Sequence, residues 1–130
     1  RQRIEGEDYL KKKLFLSYLY KELYIVDAVR ADFQKRKGQY HRLSLALPQE
    51  GIILHWADDY GQADFLWLLT HPQRTLITVI ADDHKRAIAQ QSYLTRIRKI
   101  QYYKELPEGV SYDWEVDTRE GKEVVNKMTN

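Results

Sequence analysis

The side chains best suited to chemistry fall in two short runs. His55 is followed by Asp58 and Asp59, and a second run holds Asp82, Asp83 and His84. Carboxylates and imidazoles that converge can hold Mg²⁺ or Mn²⁺, because hard cations take oxygen ligands. Such an ion activates water for hydrolysis, so these five Asp and His residues are the candidate metal ligands of a small hydrolase or nuclease. The two runs meet only if the strands before them are parallel neighbours. Both runs would then lie at the strands' carboxyl ends, where open α/β sheets place ligands. A plainer role competes: each run opens a predicted helix, and an Asp N-cap stabilises a helix by about 1 kcal/mol. Capping is therefore the expected role, and neither a metal nor another cofactor is expected. The four histidines show no HxH or HxxxH spacing. His71, next to Pro72, reads as a helix-terminal imidazole whose positive charge would suit the helix dipole.

Cysteine is absent, which excludes thiolate nucleophiles, thiolate metal sites and disulfides. The six glycines form neither a P-loop nor a dinucleotide fingerprint, and no HExxH or GxSxG occurs.

The second candidate surface is basic. The formal net charge is only +2, yet it is segregated: +4 over residues 28–45, −5 over 46–83, +6 over 84–104 and −4 over 105–130. At 100° per residue, Lys85, Ser92, Arg96, Lys99 and Tyr103 share one face of a predicted helix. Cations along a helix can follow a phosphate backbone, and a tyrosine can stack on a base. Lys35, Arg36 and Lys37 form a second basic corner. These residues (Lys35, Arg36, Lys37, Lys85, Arg96, Lys99 and Tyr103) point to a non-enzymatic interaction domain that binds nucleic acid or an acidic protein surface. The acidic C-terminal stretch competes by neutralising this face within the domain. A third reading is a sensory or regulatory domain of a larger protein.

The elements that must position these residues follow from periodicity. Residues 8–33 read as a long helix capped by Asp8 and ended by the cations and glycine of Lys35–Gly38. Residues 40–47 alternate, with His41, Leu43, Leu45 and Leu47 on one face, and Pro48–Gly51 reads as a hairpin loop to a strand over 52–56. A short helix spans about 62–70 and stops at His71-Pro72. Residues 74–81 are β-branched and apolar on both faces, the mark of an interior strand. Asp82 or Asp83 then caps a second long helix to about residue 104, with Tyr93, Leu94, Ile97 and Ile100 as its core stripe. Val110, Tyr112, Trp114 and Val116 form the inward face of a last strand, and 117–130 reads as a turn and a frayed tail. The expected fold is α+β: a mixed sheet of about four strands packed by two long helices and one short one, in the order α-β-β-α-β-α-β.

The 130 residues fit one domain, and three Trp, ten Tyr and three Phe supply a core. Met128 is the only methionine and Arg1 the first residue, which points to a domain excised from a longer chain. No apolar run reaches the roughly 18–20 residues of a membrane span; the longest is Leu14–Tyr20. Lys11, Lys12 and Lys13 before it suit lipid head groups, but a solvated helix turn is the expected reading. A cysteine-free chain is compatible with cytoplasm or periplasm, and cytoplasm is the expectation.

Overall fold

The structure is a computed structural model and describes residues 27–91 and 100–128. Its elements in chain order are α1 (Asp27–Ala46), β1 (Gly51–Ala57), α2 (Gln62–Thr70), β2 (Arg74–Ile80), α3 (Asp83–Gln90), β3 (Ile100–Tyr103), β4 (Trp114–Asp117) and β5 (Val124–Lys127), with a 3-10 turn at Arg119–Gly121. The class is α+β, as expected. The sheet has five strands in the order β3-β2-β1-β4-β5. β2 pairs in parallel with β3 and with β1, β1 pairs in parallel with β4, and β5 returns antiparallel along β4.

Residues 74–80 are the interior strand that their composition announces, and α2 occupies the predicted span. Four expectations change. The first helix does not stop at Gly38; it runs through Lys35–Gly38 to Ala46. The predicted strand over 40–47, and with it the hairpin, is therefore helix. Leu43 and Leu47 are four residues apart and satisfy both a two-residue and a helical period. Tyr40 and Ser44 decide between them: with Val29, Phe33, Leu43 and Leu47 they make one buried helical stripe, whereas Leu45 is 86% exposed. A glycine inside a helix costs up to about 1 kcal/mol, less than this buried stripe contributes. Pro48–Gly51 instead turns α1 into β1, and Gly51 has the positive φ that the turn requires (104°).

The second long helix is the next correction. α3 ends at Gln90, and Ile100–Tyr103 is a strand beside β2. Ile100 and Tyr102 are buried while Gln101 is exposed, a two-residue period that sets strand over helix. Tyr93, Leu94 and Ile97 lie outside the described residues, as does the predicted helix over 8–26 with Lys11–Lys13. The third correction concerns residues 110–116. Only Trp114–Asp117 pairs as a strand, and its Trp114 and Val116 pack with the helical layer, while Val110 and Tyr112 pack with Leu54 on the opposite one. The predicted common face therefore divides between two layers; Asp113 is exposed and Glu115 half-buried. Finally, the supposed frayed tail contains β5, which completes the sheet.

The three described helices share one side of the sheet, because right-handed crossovers from β1 to β2 and from β2 to β3 put α2 and α3 on the same face. The core there joins Val29, Tyr40, Ile53, Trp67, Leu76, Ile80, Ala89, Ile100 and Val116. Arg74, wholly buried at the start of β2, ties two helix ends together. Its guanidinium donates to the carbonyls of Ser44, Leu47, Pro48 and Trp67 and to the Ser44 hydroxyl. Pro48 lacks an amide hydrogen, so the Ser44 carbonyl has no helical partner four residues on, and Arg74 supplies one. Burial draws the Arg74 guanidinium down to about 10, so it stays charged at neutral pH.

Candidate functional site

The strand order reverses direction at β1. The chain steps outward through β2 and β3 and then returns to place β4 on the other side of β1. Open α/β sheets bind ligands at such a reversal, beyond the carboxyl ends of the strands. A cleft of about 370 Å³ lies there, lined by Asp32, Lys35, Arg36 and Gln39 of α1, Asp58 after β1, and Glu120 and Gly121 after β4.

Each wall is built from the sequence upward. Asp32, Lys35, Arg36 and Gln39 follow helical spacing and so share one side of α1. Arg36 donates from one nitrogen to Asp58 Oδ1 (2.9 Å) and from another to the Thr118 carbonyl (2.7 Å), which joins the ends of β1 and β4. Asp58 Oδ2 accepts the amide of Glu120 (2.8 Å). Burial alone would raise Asp58, but that amide and the Arg36 charge hold its carboxyl below the usual range. Gln39 donates to the carbonyls of Gly121 and Lys122, and Arg42 pairs with Glu123. Glu120 is left-handed (φ 56°), a conformation that costs an ordinary residue about 1–2 kcal/mol. Such strain is retained where the surroundings over-determine it, and it is concentrated at functional sites.

Beneath the cleft lies a fully buried polar cluster. The sheet pleat turns His55 toward the helices, where its Nδ1 meets Asp64 (2.9 Å) and its Nε2 meets the Thr118 hydroxyl (2.7 Å). Thr78 of β2 donates to the other Asp64 oxygen (2.9 Å). His55, Asp59, Asp64, Thr78 and Thr118 are all inaccessible to solvent. Asp59 accepts the amides of Gly61 and Ala63 (3.1 Å each), capping α2. Burial pushes the Asp59 carboxyl up, against the opposing pull of His55 and with the Asp64 charge adding to the rise. The Tyr40 hydroxyl, buried against this carboxyl, is likewise pushed up, first by burial and then by the Asp59 charge.

The two acidic runs do lie beyond parallel neighbours β1 and β2, as their positions suggested, yet they serve different ends. Asp82 caps α3 by accepting the Lys85 amide (2.9 Å). Asp83 points into solvent and pairs with Arg86 and Lys104. His84 is exposed and stands edge-on to Tyr60. Among the described residues no group of three or more His, Asp or Glu is placed to hold a metal ion. His71 stands at the C-terminal end of α2, as expected, with its amide donating to the Trp67 carbonyl, while burial and the Arg74 charge push its imidazole down.

The basic candidates are dispersed. Lys35 and Lys37 are exposed on α1, while Arg36 is held in the cleft. Lys85 Nζ donates to the Asp58 carbonyl (2.7 Å) and lies over the Tyr60 ring. Tyr103 is on β3, so it shares no helical face with Lys85; Arg96 and Lys99 lie outside the described residues. The segregated charges are brought together by the fold: Arg36 meets Asp58, Arg42 meets Glu123, and Lys104 meets Asp83. Sequence reasoning missed Gln39 because it needs α1 to continue past Gly38, and Asp32 and Glu120 because the cleft they line forms only when β4 returns beside β1. It also missed Asp64, which borders the apolar run Phe65–Leu69, and Thr78, which lies inside Leu76–Ile80, although a polar residue set in an apolar run is the signal that marks buried networks.

No described helix is long and apolar enough to cross a membrane. In comparisons with known proteins, the chain matches no family model and no curated protein sequence.

Proposed function

We propose that this chain is a non-enzymatic interaction domain that takes a small polar ligand in the cleft between the ends of β1 and β4. A single observation carries the reading: a cleft of about 370 Å³ coincides with the point where the strand order reverses. Its volume is within the range of small-molecule sites, roughly 300–1,000 Å³. Binding is favoured over catalysis because the His55–Asp64 pair (2.9 Å) is fully buried, and a general base must come within hydrogen-bond reach of its substrate. The ligand does not rest on the α2 N-terminus in the manner of a nucleotide phosphate. The amides of Gly61 and Ala63 there already bond Asp59, and a second anion beside that carboxyl is disfavoured. A sensory or regulatory role within a larger protein follows naturally, and a cytoplasmic setting belongs to the same proposal. A nucleic-acid or acidic-protein partner would engage Lys35 and Lys37, whose side chains stand exposed on α1.

The test is a thermal-shift screen of nucleosides, amino acids, sugars and polyamines, repeated on Lys35→Glu and Gln39→Ala. A ligand selective for the native state raises the melting temperature. The expected result is a hit whose shift is lost in both variants. A hit with undiminished shifts in both would place its site elsewhere, and a screen without hits would refute the reading.

A further inference from the structure

Three carboxylates (Asp32, Asp58 and Glu120) and two cations (Lys35 and Arg36) line the cleft, together with the Gln39 amide. Part of this chemistry is already committed to the wall. Arg36 and Asp58 bond each other (2.9 Å), the other Asp58 oxygen takes the Glu120 amide, and a second Arg36 nitrogen donates to the Thr118 carbonyl. The Arg36 side chain is only 13% exposed, so its charge is spent within the wall.

What remains is lopsided. Gln39 Nε2 donates to the carbonyls of Gly121 and Lys122, which fixes the amide's orientation and leaves Oε1 as an acceptor with no bond among the described residues. Asp32 meets Gln62 Nε2 (3.3 Å) and the Arg36 guanidinium (3.7 Å) through one oxygen, Oδ2, so its Oδ1 is unspent among the described residues. Lys35 and Glu120 are exposed, and among the described residues neither side chain has a hydrogen-bond or ion-pair partner. The free set is thus one ammonium donor against three acceptors, two of them carboxylates.

We propose that the cleft takes a free α-amino acid in its zwitterionic form, with the ligand's carboxylate on Lys35 and its ammonium among Asp32, Gln39 and Glu120. This names the ligand class of the cleft reading and rests on that reading. An ammonium has three N–H donors and no acceptor, and a carboxylate only accepts, so the zwitterion complements the free set in both charge and kind. Other small polar ligands leave part of the set unmatched, and a charge desolvated without a partner is costly. A phosphate adds acceptors and negative charge to groups already rich in both. A polyamine suits the carboxylates but brings a cation to Lys35. A sugar offers hydroxyls but no charge.

The two sides of the cleft are independently positioned. Asp32, Lys35 and Gln39 project from one side of α1 at helical spacing, whereas Glu120 follows β4. The left-handed backbone of Glu120 (φ 56°) is held by its amide bond to Asp58, so the wall that consumes Asp58 also sets where the Glu120 carboxylate begins.

The experiment is calorimetric titration of the full chain with the common amino acids. The tightest binder is then compared with its N-acetyl derivative, its carboxamide and a dipeptide that begins with the same residue. Each derivative removes one charge and should bind about tenfold more weakly or worse, the loss of a charge-assisted contact. Lys35→Gln should weaken the amino acid by a similar factor and leave the carboxamide unchanged, because the carboxamide has no charge for Lys35 to meet. Glu120→Gln should weaken the amino acid and leave the N-acetyl derivative unchanged. Both substitutions are at exposed positions and should leave stability within about 0.5 kcal/mol. Derivatives that bind as tightly as the parent, or a Lys35→Gln loss equal for amino acid and carboxamide, would overturn the proposal. A dipeptide that binds as tightly as the amino acid would overturn it in favour of a peptide terminus. A nucleoside, sugar or polyamine that binds the cleft while no amino acid does would overturn it and leave the cleft reading standing. Binding by no class of compound would remove both.

Discussion

Replacing Arg74 by Met tests whether one buried cation joins the ends of α1 and α2. Arg74 is inaccessible to solvent and donates to four carbonyls and one hydroxyl at 2.6–3.3 Å. Met fills a similar volume without donors. The Trp67 carbonyl retains the His71 amide, and the Ser44 hydroxyl retains Thr70, so the acceptors most exposed to loss are the carbonyls of Ser44, Leu47 and Pro48. Each buried group left without a partner costs about 1–3 kcal/mol, and removing the buried charge offsets part of the sum. The expected loss is therefore about 3–5 kcal/mol, read by equilibrium urea denaturation at neutral pH with the m-value checked for constancy. Arg74→Lys should lose less, since an ammonium retains three of the donors. A loss below about 1 kcal/mol for Arg74→Met would show that water satisfies those carbonyls and that the two helix ends do not depend on this residue.

Leu43→Ala should destabilise by about 2–5 kcal/mol whereas Leu45→Lys stays within about 0.5 kcal/mol, measured by the same denaturation; equal costs would restore a strand over 40–47. Leu76→Ala and Ile77→Ala, on opposite faces of interior β2, should each lose about 2–5 kcal/mol, and values under 1 kcal/mol for both would make the strand peripheral. Asp59→Ala removes the cap of α2 and should cost about 0.5–2 kcal/mol equally with and without Mg²⁺; a cost that appears only with the ion would reveal a metal ligand instead. The raised Asp59 carboxyl means that the folded state binds this proton more tightly than the unfolded chain does. Its contribution to stability is thus fully present below the ordinary carboxylate range and is lost as pH rises through the raised folded value, so stability profiles of wild type and Asp59→Asn should converge at low pH apart from a constant offset. A pH-independent difference between them would contradict that assignment.

What the residues disclosed depended on whether one period described them. β2 is apolar on both faces and has no competing reading, and Gln62–Thr70 is bounded by Gly61 and His71-Pro72, so both were legible. Residues 40–47 were not, because Leu43, Leu45 and Leu47 imitate a strand, and only packing against Trp67 and Arg74 selects the helix. The Trp67 indole donates to the Tyr40 carbonyl (2.8 Å), a contact that ties α1 to α2 and that no local pattern announces. Ile97 and Ile100 likewise fit a helical stripe until pairing with Leu76 places Ile100 in a strand. For the site, Asp58 and Asp59 were rightly located at the carboxyl end of a strand; Asp59 finds its partners nearby in Gly61 and Ala63, but those of Asp58 come from far along the chain. Glu120 meets Asp58, and Thr118 meets Arg36, only through the return of β4 to β1, and strand order is not encoded in periodicity. The charge runs misled for the same reason: a basic segment reads as a free surface until the fold sets an acidic segment against it.

The central claim is that the cleft between the ends of β1 and β4 is where this domain takes its ligand. The most direct measurement is a ¹H–¹⁵N chemical-shift map of the full chain, titrated with the best compound from the thermal-shift screen. The account predicts saturable perturbations concentrated at Asp32, Lys35, Arg36, Gln39, Asp58 and Thr118–Gly121. Saturable perturbations concentrated instead on β5, on the exposed face of α1 around Lys37 and His41, or along residues 92–99 would contradict it.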